Sequence, residues 1–406
     1  MYDVLVAGGG PVGSQAAFRL AAAGHKVVIL EQKDNPGTPV CCTGIVSEEC
    51  IRAFSIDDKV VVSHVNNATV FSPAGKKIHL WRFSPQAAIL DRPAFNVSMV
   101  SRAKSRGAEY FTGSRITDVF IKKNCVRIKL DNRGNETSLD ARALIIATGF
   151  LPHLTERLGL GKPGSFVAGA QAEVNTNSVN EVEIYTGKKY APGFFAWLVP
   201  TYPGRALAGL LTRHDVRGHL NSLISYLVSK GRVTSNPITV YTGGVPLKPL
   251  SRTYTDRILV VGTAAGQVKP ITGGGIYYGL LCADIAAKVL DGALQKDELS
   301  QHSLAAYERG WRKLLGKEIR ASSWAQRFYE HLSDNRIEQI FDIMLSSEVV
   351  EALLKQEDLS FDWHSHAVGH LLRDRTLFKL IKRSKIPPPI DRLRDSGIPR
   401  EENKLD

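Results

Sequence analysis

Three glycines near the start of the chain, Gly8, Gly10 and Gly13, carry the first chemistry legible in it. They follow an apolar run, Val4 to Ala7, that reads as a buried parallel strand. Ser14 to Ala23 reads as a helix stopped by Gly24, and a second strand, Lys26 to Leu30, ends on Glu31. In this order each glycine has a physical task. Gly8 permits a tight turn, Gly10 lets backbone approach a pyrophosphate, and Gly13 lets the helix pack close to the strand. The helix N-terminus offers free N–H groups and a partial positive charge to phosphates. Glu31 stands where a carboxylate would accept from ribose hydroxyls. The triplet alone is weak evidence, but strand, turn, helix, strand and acid together predict a dinucleotide site.

Three further clusters could do chemistry. Cys41 and Cys42 fall in an irregular stretch ending Thr43-Gly44-Ile45, a loop of the kind that folds over a cofactor. Cys42 could serve as a proton donor, a redox thiol, a polarizable wall or simply a small buried apolar residue. Phe194, Phe195 and Trp197 alternate on an expected strand, which puts Phe195 and Trp197 on one face. A glycine run, Gly273-Gly274-Gly275, precedes Ile276 and a helix. His64, His79, His364, His366 and His370 lack a carboxylate pattern that suggests a metal, and are read as solvated or capping residues.

The elements that must position these residues fall into two kinds. Strands at Val60–Val62, Ala68–Phe71 and Ile78–Phe83 lead to a helix opened by Asp91-Arg92-Pro93 and stopped by Gly107. Strands at Arg115–Ile121, Cys125–Leu130 and Leu139–Ile146 follow, the last ending in Ala147-Thr148-Gly149. From Ser165 to Leu211 strand patterns dominate, then comes a helix at Val216–Ser229 and a strand at Ile238–Tyr241. Arg257–Gly262 is again an apolar strand, followed by Thr263-Ala264-Ala265-Gly266 and a helix through Val289. The expected fold is α/β. Residues 1–60, 88–160 and 245–298 form a discontinuous Rossmann-like cofactor domain. Residues 61–87 and 161–244 form an inserted antiparallel-sheet substrate domain, and 299–406 form a helical region.

The chain has 406 residues, 43% hydrophobic and 23% charged, which is ordinary for a globular protein. Its five cysteines show no C-x-x-C pair, so neither a disulfide framework nor a zinc site is suggested. No apolar run reaches bilayer length, and Met1 leads almost directly into the first strand, which leaves no room for a signal peptide. A cytoplasmic protein is expected. The net charge of +12 favours an anionic partner, or is simply a soluble basic surface. A tail helix with the basic residues Arg373, Arg375, Lys379, Lys382, Arg383 and Lys385 and the apolar partners Leu371, Leu372, Phe378 and Ile381, ended by Pro387-Pro388-Pro389, would either rest on anionic lipid or pack internally.

With these segments in view, the chain resembles the geranylgeranyl reductase family of flavoproteins, within the wider group typified by para-hydroxybenzoate hydroxylase. The resemblance covers roughly residues 1 to 290 and extends to Tyr307–Lys313 in the tail. Gly8 to Glu31 matches the family's FAD-binding unit. Cys42-Thr43-Gly44-Ile45 resembles its cysteine–glycine loop beside the flavin. Gly262 to Ile276 resembles its second flavin motif, and Pro192 to Pro200 resembles its prenyl-site motif P-x-x-Y-x-W-x-F-P. The resemblance implies FAD contacts from Gly8, Gly10, Val12, Gly13, Glu31, Cys42, Thr43, Gly44, Arg92, Ile116, Thr263, Gly275 and Ile276. It implies prenyl contacts from Phe195, Trp197 and Pro200, and Cys42 as the catalytic candidate. For Ile116 a plain core role is the competing reading.

Two departures stand out. The family's second-motif aspartate is Thr263, which keeps a hydrogen-bonding hydroxyl without charge. The prenyl-site tyrosine is Phe195 and the later phenylalanine is Val199. The implied activity is FAD-dependent saturation of geranylgeranyl double bonds on a diphosphate or an ether phospholipid. Its electron donor would be ferredoxin, a deazaflavin or NAD(P)H, and its position peripheral at the inner face of an anionic membrane, with no nucleic-acid partner. Two other readings are an aromatic hydroxylase or halogenase of the wider group, and a prenyl carrier of the GDP-dissociation-inhibitor type. No W-x-W-x-I-P halogenase motif is present, and the intact Gly8-Gly10-Gly13-Glu31 set argues against the carrier.

Overall fold

The computed structural model describes residues 1–38, 41–162, 164–177, 179–235, 237, 239–346, 349–356, 360–373, 381 and 386. Its first strand, β1 (Tyr2–Ala7), is central to an eight-stranded sheet. β1 pairs in parallel with β2 (Val27–Leu30) on one side and with Asn135–Ile146 on the other. The sheet continues in parallel to Ile258–Val260 on one side, with Tyr254–Thr255 antiparallel at that edge, and to Glu109–Phe111 at the other. Val4 to Ala7 are fully buried, because helices or strands cover both faces of a parallel sheet. The long strand Asn135–Ile146 serves twice. Its first half pairs antiparallel with Val126–Asn132, and its second half runs parallel to β1.

Helix α1 (Pro11–Ala22) begins three residues earlier than Ser14, the expected start. Pro11 reads as a turn residue, yet at the first helical position its missing N–H costs nothing. α1 packs on the helix Ile276–Gln295 from the second motif. Arg19 and Gln15 both reach Asp284 on that helix, at 2.6 Å each. The second helix runs past Val289 because Gly292 is tolerated inside it.

The substrate-side sheet has seven strands, in the order Val240–Pro246, Phe166–Asn175, Arg205–Thr212, Ala196–Pro200, Val182–Tyr185, Asn67–Phe71 and Lys77–Trp81. All pairs are antiparallel except Val182–Tyr185 with Asn67–Phe71. Two expectations need correction. Val61–Val65 does not join this sheet. It pairs with Ala87–Leu90, which pairs with Ile45–Ser47, in a separate three-stranded sheet. A single residue, Asn66, switches the chain between sheets, and with Asn67 it is a short polar step that no glycine or proline marks as a break. The strand expected to end at Tyr241 continues to Pro246. Gly243-Gly244 reads as a turn, but here the glycines leave room for Cys41 and Phe150 to lie against the strand.

The C-terminal region is helical, as expected: Gln301–Glu330, Asp334–Ser346, Val349–Leu354 and His364–Arg373. The expected basic stretch Arg375 to Lys385, apart from Ile381, lies outside the described residues, as does its proline stop. The longest helix is anchored by two aromatics. The Tyr307 hydroxyl donates to the Val260 carbonyl and accepts from Gln267 Nε2, both at 2.8 Å. Trp311 Nε1 donates to Thr253 Oγ1 at 2.9 Å. Both rings are buried, which contributes roughly 2–3 kcal/mol each.

The far end of that helix is tied to the substrate sheet by Glu330, which pairs with Arg213. Arg213 holds the Glu330 carboxyl below its ordinary value of 4.5. A depressed carboxyl pKa stabilises the fold above the unfolded value and loses that contribution as pH falls through the folded one. The pair is partly exposed, so about 1 kcal/mol is at stake. The stability gap between wild type and Glu330→Gln, read from thermal melts, should therefore be constant down to about pH 4.5, the unfolded value, and close below it. A gap that is unchanged at pH 3 would remove Glu330 from this role.

Candidate cofactor and substrate cleft

The first glycine turn is built by contact. Gly8 has φ of +103°, and a methyl group on it would lie 2.5 Å from the Ala147 carbonyl oxygen. A methyl on Gly13 would lie 2.0 Å from the Gly8 carbonyl oxygen, so helix α1 can approach β1 only with glycine there. A methyl on Gly10 would meet nothing within 4 Å. That open side, beside a helix N-terminus with no side-chain cap, fits the approach of a phosphate group. Glu31 Oε2 accepts from Gly9 N at 2.8 Å and Oε1 accepts from Lys33 N at 2.9 Å. The carboxylate is thereby fixed at the end of β2 with lone pairs left for hydroxyl donors.

Val12 joins this turn to the second motif. A methyl on Gly262 would lie 3.1 Å from Val12 Cγ1, and one on Gly279 would lie 2.6 Å from Val12 Cγ2. Thr263 sits in the short 3-10 turn Gly262–Ala265, with its hydroxyl 3.6 Å from where a Gly275 methyl would be. Gly275 precedes the helix Ile276–Gln295 and gives it no side-chain cap. Two uncapped helix N-termini thus belong to the two motifs.

A cleft lies between the second motif and the seven-stranded sheet. One wall is Cys41-Cys42-Thr43-Gly44-Ile45, another is Lys269 with Thr272 to Tyr277, and a third is Gly169, Gln171, Trp197, Leu211 and Gly243 to Val245. Asp362 closes it from the C-terminal region. Both cysteines of the expected loop are there. Burial pushes the Cys41 thiol up to about 12, so it stays protonated at neutral pH. Arg92 packs across Gly44, where a methyl would lie 2.8 Å from Arg92 Cγ, and donates to Asn96 Oδ1 at 3.0 Å. Ile116 is buried in the core with Leu5 and Leu30, away from the cleft. It lies two residues from Ser114, whose N–H donates to the Glu31 carbonyl at 2.9 Å.

The expected aromatic wall is brought together only in part. Trp197 lines the cleft and its ring lies on Gly209, where a methyl would be 2.5 Å from the indole. Phe195 is a second layer, 6.0 Å from Trp197 between ring centroids. The strand starts at Ala196, so Phe195 precedes the pleat. Pro200, three residues from Trp197 and therefore on the other face, lines a different depression with Tyr202.

Sequence reasoning missed Gln171, Lys269 and Asp362, and it read as solvated or capping a histidine, His364, that is half-buried. Gln171 pairs with Gly209, which pairs with Trp197, so the three form one row across the sheet. Gln171 Oε1 and Trp197 Nε1 are buried with no hydrogen-bond partner among the described residues. A glutamine between Ala170 and Ala172 in an apolar strand was the available signal. Lys269 and Asp362 form a buried pair at 2.5 Å. His364 beside it is pushed down to about 4 by burial, so it is neutral at physiological pH. Its ring contacts Ser322 Oγ at 3.1 Å and the Phe361 carbonyl at 3.0 Å. Among the described residues no group of three or more His, Cys, Asp or Glu gathers in a metal-holding arrangement.

The two glycines separate fold from binding. Gly13→Ala should cost about 1–3 kcal/mol in denaturant unfolding, since backbone must move. Gly10→Ala should cost under about 1 kcal/mol, yet lower dinucleotide affinity at least about tenfold, because its methyl enters the phosphate space. Equal affinities of Gly10→Ala and wild type would dissociate this turn from the cofactor.

The chain can now be set beside known proteins. The family model described as pyridine nucleotide-disulphide oxidoreductase matches residues 2–180. Digeranylgeranylglycerophospholipid reductase 2 of Methanothermobacter thermautotrophicus is 31% identical over 353 residues, spanning 84% of this chain and 90% of that protein. The digeranylgeranylglycerophospholipid reductase 2 of Methanopyrus kandleri is 30% identical over 375 residues, spanning 88% and 94%. A solved geranylgeranyl bacteriochlorophyll reductase-like protein from Thermoplasma acidophilum superposes with a TM-score of 0.82 at 23% identity, over 94% of this chain and 98% of that one. That last likeness is one of fold. Identity at this level along nearly the whole of both chains means that the chain belongs to the digeranylgeranylglycerophospholipid reductase family.

Proposed function

We propose that the protein is an FAD-dependent reductase that saturates geranylgeranyl double bonds on an ether phospholipid. The observation that carries this reading is the meeting of the second glycine run and the Cys41–Ile45 loop with the Trp197 strand at one cleft, in a chain 31% identical to a reductase of that lipid class. Bound FAD would supply a hydride, after taking up two electrons from an external donor (ferredoxin, one electron at a time, or a deazaflavin or NAD(P)H, as a hydride). The chain's own residues divide the remaining tasks. Gly10 and the α1 N-terminus take the pyrophosphate, and Glu31 accepts from ribose. Thr263 offers its hydroxyl where the family carries aspartate. The loop Cys42-Thr43-Gly44 and the N-terminus at Gly275-Ile276 bound the reactive end.

An isoprenoid alkene carries no carbonyl, so one carbon must take a proton as the other takes the hydride. Trp197 holds the chain and its ring electrons stabilise the positive charge that develops. Leu211, Val245 and Ile276 keep water away from it. Cys42 Sγ is assigned as the proton source. The lipid reaches the cleft over an apolar rim. Phe150 lies on Gly244 and packs on Phe166 at 5.2 Å, with Phe166 and Leu151 exposed. No helix among the described residues is long and apolar enough to cross a membrane. A net charge of +12 suits a peripheral seat on anionic lipid.

Anaerobic, chemically reduced enzyme mixed with a digeranylgeranyl phospholipid tests the reading. The lipid should gain one hydrogen pair for each flavin reoxidised. Trp197→Ala should slow this at least about tenfold through lost positioning, with flavin content unchanged. If the lipid leaves the reduced flavin untouched while oxygen reoxidises it and hydroxylates an aromatic compound, the hydroxylase reading replaces this one.

A further inference from the structure

Lys269 is an unusual residue for its place. It stands between Val268 and Pro270 in the second motif and is only 4% exposed. Its backbone holds the glycine run: Lys269 N donates to the Gly274 carbonyl at 2.9 Å, and Gly273 N donates to the Lys269 carbonyl at 2.8 Å. Its side chain passes beside Gly274, where a methyl would lie 2.9 Å from Lys269 Cε. The ammonium meets Asp362 Oδ1 at 2.5 Å and the Phe361 carbonyl at 3.3 Å, and lies 4.5 Å from the centre of the Phe361 ring.

Asp362 is 1% exposed, and its second oxygen, Oδ2, has no hydrogen-bond partner among the described residues. The segment that presents it is firmly held. The Tyr278 hydroxyl donates to the Asp362 carbonyl at 2.9 Å, and Ser365 N donates to Glu318 Oε2 at 2.8 Å. Both members of the pair line the cleft. A buried ion pair with an unsatisfied oxygen stabilises a fold little better than two apolar side chains of the same size. Its position beside the glycine run supplies another use.

We propose that Lys269, oriented by Asp362, is an electrostatic positioning residue of the cofactor cleft, whose fixed positive charge favours the reduced cofactor over the oxidised one. The inference rests on the FAD reading above. Reduction of the neutral flavin ring takes two electrons from the external donor and one proton from solvent, and so leaves one added negative charge. A positive charge nearby favours that state and a negative charge opposes it. The two members of the pair therefore act with opposite sign, which no merely structural role would produce.

The test is the midpoint potential of the FAD-loaded full chain, measured with xanthine, xanthine oxidase and a reference dye. Lys269→Met should make the bound flavin harder to reduce by about tenfold in the equilibrium, about 30 mV for a two-electron couple. Asp362→Asn should shift it about as far the other way. Lys269→Arg, which keeps the charge, should restore the wild-type potential. If either single variant fails to fold, Lys269→Gln, which can still donate to Asp362, or Asp362→Ser, which can still accept from Lys269, takes its place and should shift the potential in the same direction as the variant it replaces. Wild-type protein that takes up no flavin would overturn the FAD reading and this inference with it. Stoichiometric flavin with the Lys269 and Asp362 variants shifting the same way, or with either of them unshifted, would overturn this inference alone.

Discussion

Backbone meets backbone at Gly8 and Gly13 with no space for a methyl group between them. That contact fixes how α1 leaves β1, and much follows from it. With α1 pressed down, Val12 reaches both Gly262 and Gly279, so the helix of the second motif is set against the first. Arg19 and Gln15 then find Asp284 across the same interface. The cleft is the space that this packing leaves open on the side of the seven-stranded sheet. A larger residue at Gly13, Gly262 or Gly279 would therefore be felt in the cleft as well as in the core, since close-packed interiors transmit such shifts.

The parallel core was legible because its signals are local. Val4–Ala7, Val27–Leu30 and Ile258–Val260 are short apolar runs bounded by glycine or acid, and they fall where pattern places them. The cap at Asp91 was equally legible, and its carboxylate does accept from Ala94 N at 2.9 Å. What pattern missed depends on partners distant in the chain. Val61–Val65 is rich in β-branched residues like the strands after it, yet its sheet is decided by Ala87–Leu90 and Ile45–Ser47. Gly243-Gly244 signals a turn to any local rule, whereas Cys41 and Phe150 make it a strand.

The same division runs through the cleft. Trp197 was found through a motif, but its orientation depends on Gly209 from the next strand, a residue with no signal of its own. Phe195 and Pro200 share that motif without sharing the cleft, because strand onset and pleat parity sort them. Lys269 could be noticed as a charge among apolar residues. Its partner Asp362 stands 93 residues later, in a region where sequence offered only helical periodicity. Tyr307 and Trp311 explain how that distance is bridged: they dock the longest helix on Thr253 and Val260, at the foot of the second motif.

Unsatisfied polar atoms are not spread evenly over this molecule. Among the described residues half of them stand at the cleft: Gln171 Oε1, Trp197 Nε1 and Asp362 Oδ2 belong to residues lining it, and Arg92 Nε belongs to the side chain packed across Gly44 in its wall, while Gln15, Thr148, Tyr329 and Glu338 hold the others elsewhere. Each such buried atom costs about 1–3 kcal/mol when nothing bonds to it. A fold stabilised by only some 5–15 kcal/mol in total tolerates several together where something else meets them. The apolar members of the same walls, Leu211, Val245 and Ile276, leave these few polar atoms as the points that orient a guest. A long hydrocarbon chain beside a polar cofactor needs that combination: dry walls along most of the cleft and a small number of fixed hydrogen-bonding atoms at its reactive end.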